Sequence, residues 1–338
     1  MIKVAINGFG RIGRLVFRRI IDFHKDIEVV AINDLGDVKT LVHLLKYDSV
    51  FGIYQKPIKI FDDYILLDDK KVKIFSFQNP EELPWKELDI DIVLECTGVF
   101  TDFDGARKHL LAGAKKVIIS APSKTPEKIP SFVLGVNEKN FNPKEMSIVD
   151  MGSCTTNCLA PIVKVLHENF KIKDGFFSTI HSYTNDQRIL DLFHKDLRRA
   201  RAAGLNIIPT STGAAKTIGK IFPDLQGKLD GLAFRVPTPD VSVLDLVCNV
   251  EKKTTKEEVN YIFREESKKE ELKGILGIED ALLVSSDYIG NTFSAVIDSS
   301  LTQVINNVAK IVAWYDNEWA YSCRLAEFTE YVGKKMFK

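Results

Sequence analysis

A short apolar run, Ile2–Ile6, leads directly into Gly8-Phe9-Gly10-Arg11-Ile12-Gly13 and then into an apolar-periodic stretch, Arg11–Phe23. Few folds begin this way. The first glycine permits a tight turn, the second lets backbone approach a pyrophosphate, and the third lets a helix lie close on its sheet. The helix N-terminus then offers amide N–H groups to an anion. By itself GxGxxG is equally compatible with a plain tight turn. Its surroundings separate the two readings. A second strand over Glu28–Ile32 ends beside Asp34, about 20 residues on, where a carboxylate can accept from ribose hydroxyls. The same carboxylate repels a 2′-phosphate, so the pattern favours NAD over NADP.

The alternation continues downstream. Val38–Leu45 reads as a helix, Ile58–Phe77 as short strands, and Asp104–Ala112 as a helix. Asp91–Glu95, Lys116–Ser120, Phe132–Val136 and Ser147–Asp150 read as short β-type runs. Strands alternating with helices predict an α/β, Rossmann-type doubly wound parallel sheet with right-handed crossovers. The character changes near Gly152. A helix (Thr155–Phe170) and a strand (Phe176–Ser182) precede an irregular, charged stretch, Tyr183–Asn206. Strands are then expected at Leu229–Val236, Val241–Val250, Leu282–Ile289, Phe293–Asp298 and Val308–Trp314. Helices are expected at Thr212–Ile221, Thr255–Lys268 and Glu318–Lys334. This predicts an α+β catalytic domain on a mixed or antiparallel sheet. The expected division is 1–151 and 152–317, with the terminal helix, 318–338, packing back on the first domain.

Composition narrows the partners. Lys plus Arg and Asp plus Glu both total 46 in 338 residues, so a dedicated nucleic-acid surface is not expected. No apolar run approaches the roughly 18 residues of a membrane span, and the N-terminal strand does not read as a signal peptide. Five cysteines give no disulfide framework and fit a reducing cytoplasm. Cys154 and Cys158 are not flanked by CxxC pairs or histidines, and no metal is expected.

Two residues stand out for chemistry. Cys154, in Ser153-Cys154-Thr155-Thr156-Asn157-Cys158, falls where a helix should start, and a helix N-terminus lends a cysteine thiolate character. Cys96, Cys158, Cys248 and Cys323 read as buried and inert. Of six histidines, His181 lies inside an apolar strand, where it is either a satisfied core residue or the general acid/base partner of the cysteine. Thr210-Ser211-Thr212-Gly213 and the cluster Arg198, Arg199 and Arg201 suit phosphate, or alternatively a helix cap and a solvated loop.

Seven segments spread over the whole chain resemble one family, phosphorylating glyceraldehyde-3-phosphate dehydrogenase: Asn7–Arg14, Ser153–Pro161, His181–Gln187, Asp196–Ala203, Thr210–Lys216, Arg235–Pro239 and Trp314–Trp319. The resemblance implies NAD as cofactor, with glyceraldehyde 3-phosphate and inorganic phosphate as substrates. Cys154 would form a thiohemiacetal and then a thioester, with His181 moving the proton. Thr184, Arg235 and Arg199 would take the substrate phosphate; Ser153, Thr155, Thr212 and Gly213 would take the attacking one. Arg11, Ile12, Asp34 and Ser120 match cofactor contacts, Gln78 falls at a further cofactor position near the adenine, and Asn317 would meet the nicotinamide carboxamide. Leu192-Phe193 resembles the NAD-type version. A homotetramer is also implied, with Tyr183–Asn206 reaching a neighbouring subunit.

Four departures from the family pattern stand out: Asp150-Met151-Gly152 for the usual Ser-Asn-Ala, Gln78 for arginine, Ala320 for glycine and Asp240 for asparagine. The first could alter geometry or charge near Cys154, the second weaken cofactor binding, and Ala320 crowd a turn beside Asn317. Asp240 could change the charge at a subunit contact. Erythrose-4-phosphate dehydrogenase is the nearest alternative and aspartate-semialdehyde dehydrogenase a remote one. A non-catalytic dinucleotide-binding homologue is the alternative from another class.

Overall fold

The first strand is buried along nearly its whole length, as a parallel strand covered on both faces must be. The computed structural model describes residues 1–337. They form two units. One comprises Met1–Phe132, Lys139–Gly152 and the chain from Ser322 onward; the other comprises Val133–Glu138 and Ser153–Tyr321.

The first unit runs β1 (Ile2–Asn7), α1 (Arg11–Phe23), β2 (Ile27–Asn33), α2 (Val38–Lys46), then a small hairpin of β3 (Tyr47–Asp48) and β4 (Gly52–Ile53). It continues with β5 (Ile58–Ile60), β6 (Tyr64–Leu67), β7 (Lys70–Phe75), β8 (Ile92–Glu95), α3 (Phe103–Leu111), β9 (Lys116–Ile119) and β10 (Ile148–Asp150). The sheet order is β10-β9-β8-β1-β2-β7-β6-β5. Pairings from β10 through β7 are parallel, and β6 and β5 are added antiparallel. From β1 the chain passes to β2, crosses to the edge strand β5, works back through β6 to β7 beside β2, and then returns to the other flank of β1 as β8. The glycine loop leaves β1 at that switch, where open α/β sheets take their ligands. The Rossmann-type sheet expected from the sequence is therefore present.

The second unit holds α4 (Cys154–Phe170), β11 (Ile172–Ser182), β12 (Ile208–Ser211), α5 (Ala214–Ile221), β13 (Leu229–Val236), β14 (Ser242–Val250) and α6 (Lys256–Lys268). Then come β15 (Leu276–Glu279), β16 (Ala295–Asp298), β17 (Gln303–Ile305) and β18 (Val308–Tyr315); the last helix, α7 (Trp319–Met336), starts at the end of this unit and belongs to the first unit from Ser322 onward. Its sheet, β12-β13-β11-β14-β18-β16-β15, is mixed, as expected: only β11–β13 and β15–β16 are parallel. Inward positions of β14 alternate with outward ones, and Leu244 and Leu246 join Leu159, Ile162 and Leu166 of α4 in one core.

Several local expectations are corrected. Phe132–Val136 is not a strand: Val133 N donates to Asn137 Oδ1 at 2.8 Å and Gly135 has φ +79°, so the chain turns. Leu282–Ile289 is not one either, because Val284 N donates to Asp287 Oδ2 at 2.8 Å and Ser285–Tyr288 curls into a 3-10 turn. The helix expected from Thr212 starts at Ala214, since β12 extends to Ser211. Among the described residues no helix is long and apolar enough to cross a membrane.

Candidate active site

Helix α4 begins at Cys154 because Ser153 caps it. Thr156 N donates to Ser153 Oγ at 3.0 Å, and Ser153 N donates to Thr156 Oγ1 at 3.2 Å, a reciprocal box that ends the preceding loop. His181 lies near the end of β11, its ring buried and edge-on to Tyr315. The fold places Cys154 Sγ 3.4 Å from His181 Nε2. His181 is buried, as the core-histidine reading expects, and its ring also faces the sulfur.

Parallel pairing of β11 with β13 sets Arg235 beside His181. Arg235 Nη1 lies 2.7 Å from His181 Nδ1 and donates to Ser182 O at 3.2 Å, while Nδ1 itself lies 2.7 Å from Ser182 O. These contacts compete. Arginine can only donate, so contact with Nδ1 requires its lone pair there, whereas donation to Ser182 O requires the proton there. Only the second tautomer leaves Nε2 with a lone pair for the sulfur. Burial, and then the Arg235 charge, pull His181 down to about 3. Burial pushes the Cys154 thiol up; Arg235 and the Thr155 N–H and hydroxyl oppose this without cancelling it. Desolvation outweighs the helix-terminus effect, so burial favours the neutral thiol and the neutral imidazole and works against the thiolate character expected from the helix start.

Arg235 also fits an anion. Its Nε is buried with no hydrogen-bond partner, and no described carboxylate forms an ion pair with it. Arg199 is engaged differently: Nε donates to Thr210 Oγ1 at 2.7 Å on β12, and its Nη1 is bound to Asp186. Thr184 N and Oγ1 both donate to Gln187 Oε1, at 2.9 and 3.2 Å. Ser153 and Thr155 stand at the start of α4, Thr212 and Gly213 at the start of α5, and the two helices pack together. Thr155 Oγ1 is 3.0 Å from the Tyr315 hydroxyl, which is 2.7 Å from Thr179 Oγ1. This hydroxyl chain under the nucleophile was invisible from motif spacing.

The three glycines of the loop differ in what a Cβ would meet. At Gly8, with φ +91°, it would lie 2.6 Å from Thr97 N, and at Gly13 2.1 Å from Gly8 O, so the protein's own packing demands both glycines. At Gly10 it would meet nothing within 4 Å. Neither its φ of −71° nor its neighbours require glycine there, and no side chain caps α1. The open space is what close approach of a pyrophosphate uses. A cleft of about 870 Å³ lies above it, lined by Gly8, Gly10, Asp34 and Gln78 among others. Asp34 is held by Phe9 N (2.7 Å) and Gly36 N (2.9 Å). The Arg11 guanidinium turns to Asp48, so any cofactor contact there falls to its backbone, as at Ile12. Ser120 is tied through N and Oγ to Glu95 O, both at 3.0 Å, and does not line the cleft.

Residues 2–103 match the family model for the glyceraldehyde 3-phosphate dehydrogenase NAD binding domain, and residues 153–317 match that for its C-terminal domain. Glyceraldehyde-3-phosphate dehydrogenase of Streptomyces coelicolor is 51% identical over 336 residues, covering 99% of both chains. The enzyme of Geobacillus stearothermophilus is 52% identical over 335, again 99% of each. The chain belongs to the glyceraldehyde-3-phosphate dehydrogenase family. It is an NAD-dependent dehydrogenase. A chloroplastic form, from Chlamydomonas reinhardtii, is 55% identical over 337 residues, covering 99% of this chain and 89% of the relative, so family membership alone names no compartment.

Set in this dehydrogenase, the departures become interpretable. The Asp150 carboxylate accepts from Ser123 N (3.1 Å) and Gly152 N (2.8 Å), and Gly152 has φ +62°, so the glycine is a backbone requirement. Ala320 does not crowd a turn: it is buried in the first turn of α7, where alanine favours the helix. Asn317 is held by two donors the sequence did not single out, Ser182 Oγ (2.9 Å) and Ser242 Oγ (2.7 Å), both to Oδ1, which directs its NH₂ group the other way.

Asp240 is buried, and neither of its oxygens finds a donor. Burial, and then the neighbouring Asp316, push its pKa far up; burial raises Asp316 as well, but less, because N–H groups of Gly290, Glu318 and Trp319 donate to its carboxylate. A carboxyl raised on folding contributes stability that is full below the unfolded value and is lost as pH climbs through the folded one. Thermal stability should therefore decline from pH 6 to pH 9, at most by about 1.4 kcal/mol per unit from this group. Asp240→Asn, which is neutral at every pH, should flatten that slope; scanning calorimetry at several pH values showing parallel slopes would refute this.

Proposed function

We propose that the chain oxidises glyceraldehyde 3-phosphate to the acyl phosphate, with NAD and inorganic phosphate, through covalent intermediates on Cys154. The 3.4 Å contact between Cys154 Sγ and His181 Nε2 is the observation that carries this reading. Sulfur attacks the aldehyde carbon as His181 accepts the thiol proton and returns it to the carbonyl oxygen, giving a thiohemiacetal. His181 then takes the hydroxyl proton as hydride leaves the same carbon and a thioester forms. Gly8, Gly10, Ile12, Gly13 and Asp34 would hold NAD, which when bound supplies the hydride acceptor. Phosphate oxygen attacks the thioester carbon, the C–S bond breaks, and His181 returns its proton to Cys154.

Substrate phosphate at Arg235 and Thr184 would draw the guanidinium off His181 Nδ1. That ring nitrogen could then donate to Ser182 O and leave Nε2 as the base. Ser153, Thr155, Thr212 and Gly213 would receive the attacking phosphate, with Arg199 nearby. Five free cysteines suit a reducing cytoplasm. The exposed apolar side chains of Ile189, Leu190, Phe193 and Leu197 suit burial between copies in a homotetramer.

The direct test is NADH formation from the purified protein with glyceraldehyde 3-phosphate and NAD, with and without phosphate; phosphate-independent or absent turnover sinks the proposal. Arg235→Gln should raise KM for the aldehyde about 50-fold, the loss of roughly 2–3 kcal/mol expected when a charged hydrogen-bond partner is removed. It should also slow iodoacetamide labelling of Cys154 at pH 8, because the positive charge opposing the raised thiol pKa is gone. An unchanged KM would remove Arg235 from the substrate site.

A further inference from the structure

Beneath the cofactor cleft lies a buried carboxylate. The Glu95 side chain is fully buried at the end of β8. Asn7 Nδ2 donates to Oε2 at 2.6 Å, and His109 Nε2 lies 3.0 Å from the same oxygen. Thr97 donates to Oε1 through N at 2.8 Å and through its hydroxyl. Trp85 Nε1 donates to His109 Nδ1 at 3.0 Å. An indole nitrogen can only donate, so Nδ1 carries the lone pair and the histidine N–H sits at Nε2, aimed at Glu95. Every group around the carboxylate is thus a donor.

Both ends of this network reach the cleft. With Asn7 Nδ2 held by Glu95, Asn7 Oδ1 faces Asn33 and accepts from its Nδ2 at 2.7 Å. Asn33 then grips the backbone before Gln78: Phe77 N donates to Oδ1 at 2.9 Å, and Nδ2 donates to Phe77 O at 3.0 Å. On the other side, Thr97 N is the atom against which Gly8 packs. Asn7, Asn33, Phe77, Gln78 and Thr97 all line the cleft; Glu95, His109 and Trp85 do not.

We propose that Glu95 is a positioning residue for the cofactor: its carboxylate fixes the amide orientations of Asn7 and Asn33, and through them the 77–78 wall, while Thr97 holds the opposite wall against the glycine loop. The inference rests on the reading that this cleft takes NAD. Glu95→Gln tests it at constant shape. Glutamine offers one oxygen and one NH₂, so its NH₂ must oppose either Thr97 N or the Asn7 and His109 donors. Relief requires Asn7 to turn its amide, which presents NH₂ to the NH₂ of Asn33 and undoes the grip on Phe77.

Calorimetric titration of NAD into the wild type and Glu95→Gln, with thermal unfolding of each, decides the matter. We expect folded Glu95→Gln to bind NAD about tenfold more weakly, with KM for NAD rising more than kcat falls. Wild type that does not bind NAD sinks the cofactor reading itself. Wild type that binds, with a variant of equal affinity, overturns the inference, including when only thermal stability drops. If Glu95→Gln does not fold, Trp85→Phe decides, since it removes the donor that sets the histidine tautomer far from the cleft wall. A roughly threefold weaker affinity supports the proposal, and an unchanged one overturns it.

Discussion

Cys154→Ser is expected to lower phosphate-dependent NADH formation by about 10⁴-fold or more, while NAD affinity stays within a factor of two. The size follows from what sulfur does in the pathway. It must attack a carbonyl, carry an acyl group at an energy phosphate can still displace, and leave, and a hydroxyl beside the same imidazole is a poorer nucleophile and leaving group. The geometry sets the specificity of the effect: Cys154 is partly buried with His181 at 3.4 Å, whereas Cys158 and Cys248 are fully buried, and burial pushes Cys248 up to about 12. The measurement pairs stopped-flow NADH absorbance with calorimetric NAD binding. Residual activity within tenfold of the wild type would show that the chemistry does not pass through this thiol.

His181→Asn is expected to lower kcat/KM by about 10²–10⁴-fold, the range for loss of a general acid/base, and to change the form of the pH dependence. In the wild type, His181 loses its proton near pH 3 and the Cys154 thiol keeps its own beyond the ordinary cysteine range. Between those limits the pair holds a constant number of protons, so iodoacetamide labelling of Cys154 should be nearly level between pH 5 and 8, thiol proton passing to imidazole within the pair. Without the base, only thiolate formed in solution reacts, and labelling should climb about tenfold per pH unit over the same interval. Iodoacetamide does not titrate, which keeps the profile free of the substrate's own phosphate ionisation. A wild-type rate rising with a midpoint near 6.5 would show that His181 titrates as an ordinary histidine and that burial does not dominate.

Much of the architecture was readable from local pattern. The strand-loop-helix start and Asp34 were, because a glycine is demanded wherever a Cβ would strike neighbouring backbone, as at Gly8 and Gly13. The beginning of α4 was too, because capping is settled within four residues, Ser153 to Thr156. Phe132–Val136 and Leu282–Ile289 were misread since apolar composition says nothing of a side chain that captures a backbone N–H, as Asn137 and Asp287 do. Asp240 illustrates the same limit. Its letter suggested a surface charge at a subunit contact, and burial beside Asp316 makes it a proton-bearing group instead.

The chain's residues by themselves determined the Rossmann-type half, the β-rich second half, the family and the identity of the candidate nucleophile. Each of those depends on residue type and spacing, which act over a few positions. Only the tertiary structure decided that Cys154 meets His181 across 27 residues, that Arg235 lies against the same ring, that burial disfavours the charged form of each, and that Glu95 is buried among donors beneath the glycine-loop cleft. Sheet register and desolvation set those outcomes, and both are properties of what surrounds a side chain.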